Sequence, residues 1–261
     1  MPILRGIFLL PAPNLPGANR QDGPGRWRQG ATIESTLHMK TMRFFSLVQA
    51  ALLSVSAAAQ APAGPPPQEV AAALQKKYDA IRDFTADFAH ESEGGLLRKK
   101  QSERGFVQVK KPGKMRWDYR APEPKVFVSD GRRIYLHVPA DNQVIISAVP
   151  EQDQATTAVL FLVGKGSLVR DFTVSYADGG GPDTYALRLQ PKLPERDYDW
   201  LQVVVDRQTL QIRSLSAADS QGGRSTFRFS NFKENVGLAD KTFAFKIPRG
   251  ADVTTNSAPP R

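Results

Sequence analysis

The chain has no cysteine among its 261 residues. That excludes disulfides and thiolate metal sites, and it removes the lipid-attachment cysteine that would mark a lipoprotein. Histidine is nearly as scarce, with three in the whole chain. His90 and His137 fall on different predicted strands with no carboxylate pattern beside them, so each reads as an ordinary strand histidine. A zinc site needs three or four ligands at characteristic spacing, and neither residue type supplies them. The Gly-x-Ser-x-Gly nucleophile elbow is missing. "VGKGSLVR" places Lys165 after Gly164, but Gly166 stands where a phosphate loop needs Ser or Thr, and Val159 where its leading Gly belongs. It reads as a turn. The carboxylate pairs Glu91/Glu93 and Asp197/Asp199 sit at predicted turns and strand ends, where solvated acids are the rule. No catalysis, cofactor or metal is expected.

Concentrated charge is missing too. Six of the 35 basic and two of the 26 acidic residues fall in residues 1–61, which leaves +5 for residues 62–261. Apart from "LLRKKQSER" and "VKKPGKMR" these charges are dispersed. Nucleic-acid binding needs a basic stripe on a recognisable module, so no nucleic-acid partner is expected.

What is present begins with "MKTMRFFSLVQAALLSVSAAAQAPAG". Lys40 and Arg43 precede an apolar run from Phe44 to Ala59 that ends in small residues, the three parts of a secretory signal peptide. The run is short of the roughly 20 apolar residues a membrane span requires. Residues 39–61 are therefore expected to be a signal peptide, with cleavage after Ala59 or a few residues later, and the exported product to be soluble. Residues 1–38, rich in Pro, Gly and Arg, show no core-forming period and read as upstream over-translation or a disordered extension. A Pro-rich linker occupies 62–67, the folded domain 68–254, and a polar tail 255–261.

Gln68 to Arg82 carries Val70, Leu74, Tyr78 and Ile81 at three- and four-residue steps, which predicts a helix. From Phe84 the pattern becomes alternation. Met115, Trp117 and Tyr119 share one face of a strand, as do Ile134, Leu136 and Val138, Phe172, Val174 and Tyr176, and Tyr185, Leu187 and Leu189. Phe227 with Phe229, and Phe243 with Phe245 and Ile247, repeat it. Such period-two patterning means half-buried strands in antiparallel sheet. Turn signals at Lys111-Pro112-Gly113, Asp130-Gly131, Asp141-Asn142, Gly179-Gly180-Gly181 and Gly222-Gly223 divide it into about eleven strands. Ala155 to Val163 predicts a short mid-chain helix. Two helices cannot cover both faces of so large a sheet. The expected fold is mainly β: a single curved antiparallel sheet, apolar face inward, with the helices over its opening. Either that interior is filled by its own side chains, or it keeps room for an apolar ligand.

Residues 105–144, "GFVQVKKPGKMRWDYRAPEPKVFVSDGRRIYLHVPADNQV", resemble the outer-membrane lipoprotein carrier family, LolA. They share a strand ending in a basic residue and Pro, an aromatic strand with Trp117, and a strand closing in Val128-Ser129-Asp130-Gly131. "ATTAVLFLVGKG" and "FKIPRGADV" extend the likeness over about residues 68–254. The resemblance implies an unclosed half-barrel of about eleven strands with the helices as lid, no enzymatic activity, and no cofactor. It implies a periplasmic chaperone, expected to be a monomer. Its partners would be triacylated lipoproteins, an inner-membrane ATP-driven release complex and an outer-membrane lipoprotein receptor. The acyl-binding face would comprise Met115, Trp117, Tyr119, Val126, Val128, Ile134, Leu136, Leu160, Leu162, Phe172, Val174, Leu187, Phe227 and Phe229. Where the family usually has a lid-contacting Arg this chain has Lys111, a point charge instead of a rigid fork. Met115 replaces a frequent aromatic, Tyr135 a common Trp, and His137 a common Tyr. These departures leave two alternatives: a paralogous carrier of another lipid, such as a glycolipid or pigment precursor, and a lipid-sensing regulatory protein on the same fold. No second domain is expected after residue 254, which disfavours the sensor.

Overall fold

The computed structural model describes residues 64–94, 100–149, 166–195 and 198–256. The predicted signal peptide, the segment before it, the helix predicted at 155–163 and residues 257–261 lie outside them. Twelve strands form one sheet: β1 (Asp83–Glu93), β2 (Lys100–Lys110), β3 (Lys114–Ala121), β4 (Lys125–Asp130), β5 (Arg133–Val138), β6 (Gln143–Ala148), β7 (Phe172–Tyr176), β8 (Thr184–Pro191), β9 (Trp200–Asp206), β10 (Ile212–Ala218), β11 (Arg224–Glu234) and β12 (Asp252–Asn256). Their order is β12-β6-β5-β4-β3-β2-β1-β11-β10-β9-β8-β7, so the sheet stays unclosed with β12 and β7 as its edges. Eleven strands follow the antiparallel expectation. β12 departs from it and pairs parallel to β6.

Helix α1 (Pro67–Ala80) starts with Pro at a position where the missing N–H costs nothing, and it buries Val70, Ala71, Leu74 and Tyr78. It ends two residues before the predicted Arg82. Continuing would need the Arg82 N–H on the Tyr78 carbonyl; that carbonyl instead accepts from Ile81 N and the Lys111 ammonium. Arg82 N donates to Asn235 Oδ1 at 2.8 Å. A single turn, α2 (Leu168–Asp171), is capped by Ser167 and packs on α1.

Cross-strand partners share a face, so the register can be followed across the sheet. Ile134 and Leu136, Phe127, Trp117 and Met115, Val107 and Val109, Phe84 and Phe88, Phe227 and Phe229, Leu215, Val203, Leu187 and Leu189, then Val174 line one side from β5 to β7. The buried members of this set form one continuous core with the apolar side of α1. This is the inner face.

Val126 and Val128 are not on it. They pair with Asp118 and Arg116, and with His137 and Tyr135, which places them on the outer face. β4 is buried on both sides, with Phe127 5% and Val128 0% exposed. The reason lies beyond β11. Phe243 to Ile247, expected as a strand, is instead a 3-10 turn (Asp240–Phe243) followed by irregular chain laid over β3 and β4. Phe243 is buried there, and Phe245 stacks on Tyr135 at 5.2 Å. Lys110 and Lys114 clamp Asp240, and the Asp83 carboxylate accepts from Gly237 and Leu238 N–H.

Candidate functional site

The centre of the inner face is aromatic. Phe88 meets Trp117 at 5.1 Å and Tyr119 at 4.9 Å between ring centroids, both edge to face, and Trp117 meets Phe227 at 5.2 Å. Such pairs add about 0.5–1.5 kcal/mol each beyond their burial. The cluster is possible because β2 has Gly105 opposite Tyr119 and Phe88, leaving space for the Phe88 ring.

The half of the face formed by β7 to β10 is aliphatic. A cavity of about 10 Å³ lies there among Leu168, Phe172, Leu189, Leu201, Val203, Ile212 and Leu215. It is scarcely the size of one water and lacks polar lining side chains. The face is therefore filled by its own side chains, and a ligand chain would have to displace them. A larger open concavity, about 410 Å³, is lined by Asp87, Ala89, Arg104, Arg120, Arg228 and Ser230 together with Phe88, Gly105 and Phe229.

Of the predicted binding residues, Met115, Trp117, Tyr119, Ile134, Phe172, Val174, Leu187 and Phe227 are buried on the inner face, with Leu136 and Phe229 half-buried beside them. Val126 and Val128 face the other way. Leu160 and Leu162 lie outside the described residues. Phe127 joins the inner face opposite Trp117 and Leu136, although the unbroken run Val126-Phe127-Val128 gives no alternation to read.

A polar row crosses the same face near one end of the strands. Ser225 Oγ lies 2.9 Å from His90 Nε2, and His90 Nδ1 lies 3.1 Å from Glu103, which also binds Lys125. His90 stacks flat on Phe227 at 4.0 Å, and the Lys125 ammonium sits 4.2 Å from the Tyr119 ring centre. The sequence of hydroxyl, imidazole and carboxylate is that of a nucleophile relay. However, Ser225 is fully buried and Lys125 already engages the carboxylate, so the row acts as a satisfied structural network.

Burial pushes the Glu103 carboxyl upward, but hydrogen bonds from His90 and Lys125 outweigh it and hold the group below the ordinary range. The folded pKa is thus depressed, so this stabilisation is present above the unfolded value and lost as pH falls through the folded one. Glu103→Gln should accordingly lower the urea midpoint at about pH 7, and the gap to wild type should shrink toward about pH 3. A gap that stayed constant across that window would show that the carboxylate charge does not support the row.

Lys111 precedes Pro112 at the end of β2 and reaches α1. Its ammonium donates to the Tyr78 carbonyl and lies 3.7 Å from the centre of the Tyr78 ring. Burial draws its pKa down to about 8 against the opposing pull of Asp79. Further bonds tie the helix to the sheet and to α2. Gln68 donates to Val174 O at 3.1 Å, Lys77 to Thr209 O at 2.7 Å, and Gln75 Oε1 accepts from Leu168 N at 2.8 Å.

No group of three or more His, Asp or Glu among the described residues could hold a metal ion. Fold and site together define an unclosed one-faced β-sheet module whose apolar side is capped by a helix. The profile of the outer membrane lipoprotein carrier protein LolA matches residues 79–246. An outer-membrane lipoprotein carrier protein of Chromohalobacter salexigens is 30% identical over 180 residues, 69% of this chain and 84% of that one. That of Azotobacter vinelandii is 27% identical over 212 residues, 81% of this chain and 99% of that one. A solved LolA superfamily protein from Nitrosomonas europaea covers 70% of this chain and 99% of its own at 15% identity, with a TM-score of 0.36. That likeness is too distant to carry an argument. The chain belongs to the outer-membrane lipoprotein carrier protein family, a periplasmic family of non-enzymatic carriers.

Proposed function

We propose that this chain takes the acyl chains of triacylated lipoproteins onto the inner face of its sheet and carries them from the inner to the outer membrane. An inner-membrane ATP-driven complex would load it and an outer-membrane receptor unload it. The chain would act as a monomer, exported by the segment at 39–61. The observation that carries this reading is the apolar face that runs across the sheet from Ile134 on β5 to Val174 on β7.

Burial of about ten methylenes stabilises by roughly 8 kcal/mol. Against this stands the loss of contacts among Phe88, Trp117, Phe227 and the aliphatic half, which must part to admit the chains. A carrier needs that balance, because a ligand held too firmly could not be passed on. The test is release of lipoproteins from spheroplasts. Added protein should bring newly acylated lipoproteins into the soluble fraction in one-to-one complexes. Binding of lipid without any lipoprotein release would favour a carrier of another lipid.

The contact of Lys111 with Tyr78 on the helix supports a part for it in lid control. Lys111→Leu removes its bond to the Tyr78 carbonyl and its place on the Tyr78 ring. It also removes the burial cost of the charge, so stability should change little. Loading is expected to stay within about twofold, while transfer to receptor-bearing vesicles slows by about tenfold, near the factor expected for one charge-assisted hydrogen bond. Unchanged transfer would show that Lys111 has no lid role.

A further inference from the structure

Trp117 stands in the middle of the inner face, with Val107 and Phe127 as its cross-strand neighbours. It is 2% exposed, yet its indole N–H has no hydrogen-bond partner among the described residues. Buried tryptophans ordinarily find an acceptor. Here the ring is surrounded by Phe88, Phe227 and Phe229, none of which can accept one in the ordinary way. Phenylalanine would fill much of the same place with no unmet donor. The indole N–H is therefore an unmet donor in an otherwise apolar wall.

Indole only donates, so the missing partner is an acceptor. It must also be one that accompanies hydrocarbon into an apolar interior. The carbonyl at the head of an acyl chain satisfies both conditions, and an ester carbonyl brings no donor of its own that would need a partner. The surroundings favour the same orientation. To one side of Trp117 lies the aliphatic half of the face with its small cavity, suited to the chain itself. Near the strand ends the apolar wall gives way to the polar row of Ser225, His90, Glu103 and Lys125, which marks its boundary.

We infer that the Trp117 indole N–H receives an acyl carbonyl, ester or amide, and so sets how deeply the lipid seats. The inference rests on the acyl-carrier reading and adds a chemical requirement to it: the chains must be joined through carbonyls. Acyl chains and alkyl chains of equal length would then be distinguished, which an apolar wall alone cannot do.

Four probes test this with the full chain: a triacylated lipopeptide, the same molecule with both esters replaced by ethers, one with its N-acyl amide replaced by an N-alkyl amine, and one with both changes. Wild type should bind the parent about five- to tenfold more tightly than whichever analogue lacks the recognised carbonyl, the factor expected for one hydrogen bond. Trp117→Phe should bind the parent that much more weakly and show no preference among the probes. In uniformly 15N-labelled protein, the indole resonance that disappears in Trp117→Phe should move downfield with the parent and not with the discriminating analogue. Unliganded Trp117→Phe should melt somewhat lower than wild type, because the smaller ring gives up contacts with Phe88, Phe227 and Phe229. An indole resonance that does not move when the parent binds would mean that the N–H receives no carbonyl and would overturn the inference. Equal binding of all four probes by wild type would overturn it as well, leaving the carrier reading intact. Binding of none would remove the carrier reading itself.

Discussion

Gly105→Ala is expected to destabilise the protein by about 3–4 kcal/mol, more than the usual cost of overpacking a core. A Cβ at this position would lie 2.1 Å from the Asp118 carbonyl oxygen and 2.8 Å from the tip of the Phe88 ring. The first is backbone of the neighbouring strand and cannot swing aside. It belongs to the β2–β3 ladder, which shifts register between Arg104 and Gly105. The second is the ring at the centre of the aromatic cluster, so its displacement would also disturb Trp117, Tyr119 and Phe227. Native domains are stable by only about 5–15 kcal/mol, and a loss of this size should lower the melting temperature by roughly 10 °C. Urea denaturation monitored by circular dichroism measures it. A loss under about 1 kcal/mol would mean that β2 and β3 do not approach so closely.

Met115→Asp should abolish acyl binding and cost about 3–5 kcal/mol of stability at about pH 7. Met115 is 3% exposed, between Val109 and Ser129 on neighbouring strands, and on the same face as Trp117. A carboxylate there would be buried among apolar groups and would escape by taking up a proton, so its folded pKa would rise above the unfolded value near about 4. Below that value both states are protonated and the penalty is least. It grows as pH climbs toward the folded pKa and is level beyond it. Met115→Leu, by contrast, should cost less than about 1.5 kcal/mol and keep binding. Normal loading by Met115→Asp would contradict the assignment of this face.

The strands that could be read from sequence were those with one buried side. β3 alternates Lys114, Arg116 and Asp118 with Met115, Trp117 and Tyr119, and its burial alternates in step. β4 cannot be read this way because both its sides are covered, so its apolar run does not say that Phe127 faces inward while Val126 and Val128 face outward. Their register against Trp117 decides the matter, and register is a long-range property. The alternation in "KTFAFKI" misled for the opposite reason: its phenylalanines pack onto the outer face without entering the hydrogen-bonded ladder. β12 gave no signal because Asp252–Asn256 is exposed throughout and pairs by backbone alone. The row joining Ser225, His90, Glu103 and Lys125 draws on four strands. No local spacing could bring His90 and Ser225 together across 135 positions.

Family membership and fold agree on a carrier, and the filled interior sets the condition that any cargo must open it. The most direct test is native mass spectrometry of the protein purified from periplasm, titrated with a triacylated lipopeptide and its deacylated twin. One-to-one binding of the acylated form alone is the predicted result. Binding of neither, or of both equally, would mean that the inner face is packed core alone and would contradict the account.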